Sequence, residues 1–362
     1  MTSGAFPFEA NPNPVDAADR AARLVDPGFG RVFTDHMVTI RYSDAKGWHD
    51  AKVGPRAPLT LDPATAVLHY AQEIFEGLKA YRLADGSMAL FRPEQNARRF
   101  QRSAKRLAMP ELPEDMFLQA CKQLVQVDKD WFPPIDGGSI YLRPFMIASE
   151  VFLGVKPSAE YLFMVIASSA GNYFKSGAPA ISIWVSEQYT RAARGGTGAA
   201  KCGGNYAASL VAQSEAIREG CDQVVFLDAA EHRWVEELGG MNLFFLFDDG
   251  SLLTPPTDGT ILEGITRDSV LTLARAQGLA VREERYAMDQ WRADAESGRL
   301  VEVFACGTAA VITAVGTVKS TQGAFTIGAG GAGQMTQQIR TKLVDIQRGA
   351  AADTHGWVHR ID

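Results

Sequence analysis

Gly195-Gly196-Thr197-Gly198-Ala199-Ala200-Lys201-Cys202-Gly203-Gly204-Asn205-Tyr206 is the stretch on which the fold turns. Read as a phosphate-binding loop, it would belong to a nucleotide-binding fold of alternating strands and helices. Two positions defeat that reading. Ala200 replaces the glycine required before the lysine, and Cys202 stands where a serine or threonine must ligate magnesium. What remains is a lysine among small residues, which let a bulky partner approach the backbone and give its ammonium no obvious ion partner in the sequence. Tyr206 follows at once, and the adjacent carboxylates Glu236 and Glu237 come about 30 residues later in an otherwise apolar run. That combination suits Schiff-base chemistry. The chain holds eleven lysines, however, and a solvated loop lysine beside flexible glycines is the competing reading of these residues alone.

Outward from the loop, strands follow one another by hairpins rather than alternating strictly with helices. Met37–Tyr42 reads as a strand. Leu78–Tyr81 and Met88–Phe91 read as a hairpin turning at Ala84-Asp85-Gly86-Ser87. Helical periodicity covers Pro93–Met109 and Glu114–Val127, and strands return at Ser139–Ile147 and Tyr161–Ser168. Beyond Lys201 come a helix at Tyr206–Glu219 and strands at Gln223–Leu227, Trp234–Leu238 and Asn242–Phe247. A helix at Thr266–Gln277, strands at Val301–Phe304 and Ala310–Thr317, and a closing helix from about Thr336 to Gln347 complete the pattern. This is an α+β pattern. The turn-rich run around 170–179 marks a boundary, predicting an arm at 1–25 that is loosely held, a small domain at 26–172, a connecting loop at 173–179 and a larger domain at 180–362.

Composition narrows the function. With 362 residues the chain is too long for one ordinary core, and 46% apolar with 22% charged residues suits a soluble globular enzyme. The net charge of −6 and the lack of a basic stripe argue against nucleic acid as a partner. Four scattered cysteines and six histidines show neither a disulfide rhythm nor metal-ligand spacing, which predicts a reduced, cytoplasmic protein without a structural metal. No targeting segment or membrane span is expected. Gly328-Ala329-Gly330-Gly331-Ala332-Gly333 satisfies G-x-G-x-x-G literally. Only a helix and a short tail follow it, so no dinucleotide-binding unit can be completed, and a glycine-rich loop before the last helix is the better account.

Further unusual pieces stand in order along the chain: Glu73-Ile74-Phe75-Glu76-Gly77-Leu78-Lys79-Ala80-Tyr81, Tyr141-Leu142-Arg143-Pro144, the Lys201 loop, and Glu236-Glu237-Leu238-Gly239-Gly240-Met241-Asn242-Leu243-Phe244. Leu253-Thr254-Pro255-Pro256, Leu262-Glu263-Gly264-Ile265-Thr266-Arg267 and Gly307-Thr308-Ala309 follow. Together, from about Gly28 to the C-terminus, they resemble the branched-chain amino acid aminotransferases, fold-type IV enzymes that depend on pyridoxal 5'-phosphate. The resemblance implies a small α/β N-terminal domain and a larger C-terminal β-pseudobarrel domain with helices. It also implies transamination of leucine, isoleucine and valine with 2-oxoglutarate.

By the same resemblance, Lys201 would carry the cofactor and Glu237 would sit against its ring nitrogen, Glu236 being the alternative. Tyr206 would meet the phenolic oxygen. Ile265 and Thr266, opening a helix, would take the phosphate with Arg99 and Thr308, Arg98 being the alternative to Arg99. The substrate pocket would draw on Phe29, Tyr70, Phe75, Tyr141, Arg143 and Tyr173, with Gly307, Thr308 and Ala309 offering N–H groups to the α-carboxylate; Phe29 and Tyr70 read equally well as core packing. Leu153 and Val155 resemble a loop lent to a partner subunit, which implies a homodimer. Two departures stand out. Ala310-Val311-Ile312-Thr313 replaces the C-x-x-C pair of some relatives, and Gly240 stands where others carry a substrate-contacting threonine. D-amino acid aminotransferases and aminodeoxychorismate lyases share the fold and are the alternatives. A catalytically silent binding protein and a nicotinamide oxidoreductase are the rivals of other classes.

Overall fold

The computed structural model describes residues 4–171 and 180–361. The chain divides into two units: Met1–Tyr173, Ala200–Gly203 and Ile346–Asp362 form the first, and Phe174–Ala199 with Gly204–Asp345 the second. The short excursion at 200–203 carries Lys201 into the first unit. The expected connecting loop at 173–179 lies outside the described residues.

In chain order the first unit comprises α1 (Ala17–Leu24), β1 (Val32–Ser43), β2 (Gly47–Pro55), α2 (Ala66–Tyr70), β3 (Glu73–Phe75), β4 (Leu78–Arg82) and β5 (Met88–Phe91). α3 (Pro93–Arg106), α4 (Glu114–Val127), β6 (Ser139–Ala148) and β7 (Glu160–Ala170) follow. Its sheet runs from the C-terminal strand Val358–Ile361 through β5, β4, β6, β7 and β1 to β2, with β3 also on β6. Along β6, buried Leu142, Pro144 and Met146 alternate with half-buried Tyr141, Arg143 and Phe145. One face of the strand therefore enters the core and the other is left for chemistry. Phe100 of α3, Phe117 of α4 and Phe163 of β7 meet on the core side at centroid separations of 5.5–6.2 Å. Each such ring contributes about 1.5–3 kcal/mol by leaving water.

α3 ends at Arg106 rather than running to Met109, because Ala108 takes a left-handed φ of 53°. The arm before α1 is held rather than loose among its described residues. Glu9 N–H donates to the Val53 carbonyl and Val53 N–H to that of Pro7, both at 2.9 Å. Gln123 exchanges two hydrogen bonds with the backbone of Phe6. β2 is an edge strand with open backbone groups, and a short proline-containing segment satisfies them without any periodicity that composition could reveal.

The second unit comprises β8 (Ile181–Ser186), α5 (Gly203–Arg218), β9 (Gln223–Leu227), β10 (Val235–Leu238), β11 (Asn242–Phe247), β12 (Leu252–Thr254), α6 (Ile265–Ala276) and β13 (Val281–Glu283). α7 (Met288–Ser297), β14 (Leu300–Gly307), β15 (Val311–Ser320), β16 (Gly323–Thr326) and α8 (Gln334–Gln347) complete it. β10, β9, β8, β15, β14 and β11 are joined in that order, and β11 pairs back onto β10, which closes the ring into a barrel. β8 runs parallel to both β9 and β15, with α5 crossing over between β8 and β9. Closure explains why every residue of β10 and β11 is buried. Trp291 fills the interior against Phe245 and Phe325, at 4.9 and 5.9 Å between ring centroids. The two units together are the two-domain α+β architecture with a barrel-like sheet, as the resemblance implied.

Candidate active site

In the first unit, Lys201 is held by its backbone. Its N–H donates to Ser103 Oγ at 3.0 Å, and its carbonyl accepts from Phe75 N–H at 2.9 Å. Gly203 N–H, two residues on, donates to the Glu73 carboxylate. The side chain then carries Nζ to 4.9 Å from the centroid of the Phe75 ring. β3 pairs with β6 so that Phe75 faces Phe145 and Glu73 faces Ile147, and β4 places Lys79 opposite Tyr141. Cross-strand partners share a face, so Glu73, Phe75, Tyr141 and Arg143 line the half-buried side of the sheet. Arg143 lies 4.7 Å over the Phe75 ring and donates to the Tyr141 hydroxyl at 3.2 Å. Phe29 meets Tyr141 edge-on at 4.9 Å. A Cβ on Gly77 would lie 2.9 Å from Tyr141 Cζ, so glycine there is what lets the tyrosine lie down on the strand.

Behind this face, Glu76 is fully buried and takes Arg99 Nε at 2.7 Å, Arg99 Nη2 at 2.9 Å and Asn96 Nδ2 at 2.7 Å. Burial acts to raise its carboxyl, but Arg99, Lys201 and Asn96 outweigh that and hold it below the usual carboxylate range. Asn96, Arg99 and Ser103 share one stripe of α3 at helical spacing, so a single helix face serves both the buried acid and the lysine loop. Arg98 points outward to Glu114 at 3.3 Å and is half exposed. Tyr70 stacks on Phe152 at 6.2 Å, while Leu153 and Val155 are 69% and 93% exposed. Tyr173 lies outside the described residues.

In the second unit, Glu237 on β10 is 2% exposed and pairs with Arg191 Nη1 at 2.9 Å. It also accepts from Leu262 N–H at 2.9 Å and from Asn242 Nδ2 at 3.3 Å. Glu236 is buried as well, accepting from Thr260 Oγ1 at 2.6 Å; burial, reinforced by Glu237, raises its carboxyl. Both acids thus bond to the segment leading into α6. The Asn242 amide also donates to the Leu262 carbonyl at 3.1 Å, and a Cβ on Gly264 would run into Asn242, so Gly264 gives α6 an N-cap without a side chain. Ile265 and Thr266 open that helix, whose N-terminus favours negative charge.

Register extends the grouping across the barrel. Glu237 opposes Asn242, and Asn242 opposes Cys306, one residue before Gly307. Thr308 and Ala309 form the turn between β14 and β15. Burial pushes the Cys306 thiol up to about 12. A Cβ on Gly240 would lie 3.6 Å from Tyr206 Cε1, which puts Tyr206 of α5 beside the end of β10. Among the described residues, no cluster of three or more metal-ligating side chains is present, and no helix is long and apolar enough to cross a membrane.

The glycine loop 328–333 has a purpose of its own. Gly333 leaves room for the Glu302 carboxylate, which takes Met335 N–H at 3.0 Å and Thr336 N–H at 2.8 Å at the start of α8. A protein carboxylate fills the place where a dinucleotide phosphate would have to lie.

Sequence reasoning missed Arg191, Asn242 and the role of Glu76. A second acid, set between Ile74-Phe75 and Gly77-Leu78, is the available signal for Glu76. Arg191 gave none, since it lies 46 residues from Glu237 in an irregular stretch.

Residues 73–318 match the amino-transferase class IV family. The chain is 58% identical over its whole length to the probable branched-chain-amino-acid aminotransferase of Streptomyces coelicolor, all of which is covered. It is 56% identical, again with both chains fully covered, to the branched-chain-amino-acid aminotransferase of Mycolicibacterium smegmatis. Among solved structures, the Escherichia coli branched-chain amino acid aminotransferase superposes with a TM-score of 0.74 at 29% identity, covering 91% of this chain and 99% of that one. The branched-chain amino acid aminotransferase of Thermobaculum terrenum, in its PLP-bound holo-form, gives 0.68 at 26% identity, covering 89% and 98%. The chain belongs to the class IV aminotransferases, among the branched-chain amino acid aminotransferases.

Proposed function

We propose that this protein transfers the amino group of L-leucine, L-isoleucine or L-valine to 2-oxoglutarate in two half-reactions, using pyridoxal 5'-phosphate. The observation that carries this reading is the arrangement in the first unit. A lysine clamped through its own backbone shares a sheet face with two aromatic rings and with Arg143, whose buried Nε has no hydrogen-bond partner among the described residues. An orphaned guanidinium donor is costly unless a ligand satisfies it, and the distal carboxylate of 2-oxoglutarate or glutamate is such a ligand. The aromatic rings beside it suit an aliphatic side chain.

The residues also fit the cofactor. When bound, it supplies an aldehyde carbon to receive the amino group and a ring that withdraws electrons from the reacting carbon. Lys201 would hold that carbon and, once displaced by the substrate amine, carry the Cα proton. Glu237, kept in place by Arg191 and Leu262 N–H, would hold a proton on the ring nitrogen. Tyr206 would donate to the phenolic oxygen. Ile265, Thr266, Thr308 and Arg99 would take the phosphate, and Ala309 N–H the substrate α-carboxylate. Leu153 and Val155, apolar and exposed, would be covered by a second copy in a homodimer.

Purified protein with pyridoxal 5'-phosphate should turn over L-leucine with 2-oxoglutarate, and borohydride reduction followed by peptide mapping should place the adduct on Lys201. Lys201→Ala should lose activity by at least about a thousandfold, as expected when a covalent catalytic group is removed. An adduct on another lysine, or turnover of D-alanine without L-leucine, would overturn the reading. Sedimentation of the wild type as a monomer would defeat the dimer alone.

A further inference from the structure

Glu73 is an acid on the reactive face of the first unit for which the proposed chemistry has no use. It is half-buried on β3, two residues before Phe75 and on the same side of the strand. Its carboxylate accepts the Gly203 N–H, and a Cβ on Gly203 would collide with it, so acid and glycine are fitted to each other. Burial raises its carboxyl, while Gly203 N–H and the Arg143 charge pull it back down. Arg143 lies over the Phe75 ring, two residues along β3 and on the same face as Glu73, so the two charges face one side of the sheet and the carboxylate partly cancels the guanidinium's field. Among the described residues Arg143 donates to the Tyr141 hydroxyl and carries no close ion pair of its own.

We propose that Glu73 is a positioning and specificity-determining residue, which anchors the lysine loop at Gly203 and tempers the charge of Arg143. The first role fixes the third of three backbone points around Lys201, after Ser103 and Phe75. The second meets a conflict built into a site with two kinds of substrate. A guanidinium at full strength would favour the dicarboxylic partner and penalise the burial of an aliphatic chain beside it. A nearby carboxylate lowers that preference while Arg143 keeps its donors. This inference rests on the proposed two-substrate transamination.

The two roles separate by substitution. Glu73→Gln keeps an oxygen that can accept Gly203 N–H and removes the charge, whereas Glu73→Ala removes both. With Glu73→Gln, the KM for 2-oxoglutarate should fall roughly fivefold, the change expected on losing one unit charge that opposes a half-buried guanidinium. The KM for 4-methyl-2-oxopentanoate should change less than that for 2-oxoglutarate, so that the ratio of the two KM values shifts toward the dicarboxylic substrate. With Glu73→Ala, the KM ratio should shift in the same direction and kcat should fall as well. Hydrogen–deuterium exchange of the cofactor-free protein supplies a readout independent of turnover: the segment 200–204 should lose protection in Glu73→Ala and keep it in Glu73→Gln. A KM for 2-oxoglutarate that stays unchanged or rises in Glu73→Gln would overturn the charge role, and unchanged exchange in Glu73→Ala the anchoring role. Wild-type protein that fails to transaminate at all would defeat the proposed function instead, which keeps the two failures distinct.

Discussion

Two buried carboxylates, one in each unit, meet an arginine in different ways. Glu76 takes two N–H groups of Arg99, an amide of Asn96 and its neighbour's backbone N–H from Gly77. Glu237 lies against Arg191 Nη1, and that same nitrogen also donates to the Thr260 carbonyl at 3.1 Å. Arg191 Nε is left without a hydrogen-bond partner among the described residues. The first pair is a two-pronged clasp that joins a helix to the link between β3 and β4. The second ties an acid to a loop through a nitrogen shared with a carbonyl, and its guanidinium keeps an unused donor. A buried ion pair is weak evidence for stability as such, because desolvation offsets much of the attraction. Its geometry says more about rigidity: the forked pair fixes acid and arginine to each other at two points, whereas the shared one leaves a guanidinium donor unused.

Removing each acid tests this most strongly. Glu76→Ala strips Arg99 of the carboxylate that takes two of its N–H groups and should cost about 3–5 kcal/mol in urea unfolding. Glu237→Ala should cost about 1 kcal/mol less, because Arg191 keeps the Thr260 carbonyl. Equal costs, or the reverse order, would break the comparison.

Glycines at the two sites give the next effect. Gly264→Ala, which drives a Cβ into Asn242, should destabilise by about 1–3 kcal/mol and disturb the seat of Glu237. Gly204→Ala, with nothing within 4 Å of its Cβ and a helical setting, should be neutral or stabilising by up to about 1 kcal/mol. Thermal melts of the two variants check both.

The pH response should separate the acids by sign. Glu76 has a folded pKa below its unfolded value, so its stabilisation is present above the unfolded value and lost as pH falls through the folded one. Glu76→Gln should flatten the acid limb of a stability–pH curve by up to about 1.4 kcal/mol per pH unit, the slope for one proton. Glu236 has a raised folded pKa, so its stabilisation is full below the unfolded value and fades as pH rises through the folded one; Glu236→Gln should flatten the opposite limb. Limbs that change in the same direction would contradict the assignment.

The smallest effect belongs to the outer pair. Arg98→Ala breaks a half-exposed contact with Glu114 and should change stability by less than about 0.5 kcal/mol. A large loss there would mean that the inward and outward arginines had been exchanged.

Much of the candidate site was legible because its chemistry is local in sequence. The lysine among small residues, the double acid and the helix opening at Ile265 and Thr266 are each contained in a few consecutive positions. Helices and hairpins were legible through periodicity, as at Glu114–Val127, whose bounds agree residue for residue. Segments without periodicity were not. β2 shows no clean alternation and α7 buries only Trp291 and Asp294, while the C-terminal strand and the docked arm are held by partners far along the chain.

By itself the order of residues determined which chemistry the chain can offer and the type of most of its elements, since both depend on neighbours within a turn or a strand. Only the tertiary structure decided that Arg99 rather than Arg98 turns inward, that Glu76 underlies the lysine, that Arg191 holds Glu237, and that β11 closes on β10. Those choices bring together groups from 5 residues apart, as at Glu237 and Asn242, to more than a hundred, as at Glu76 and Lys201. They depend on which buried charges find partners when the core forms, and a linear pattern does not contain that information.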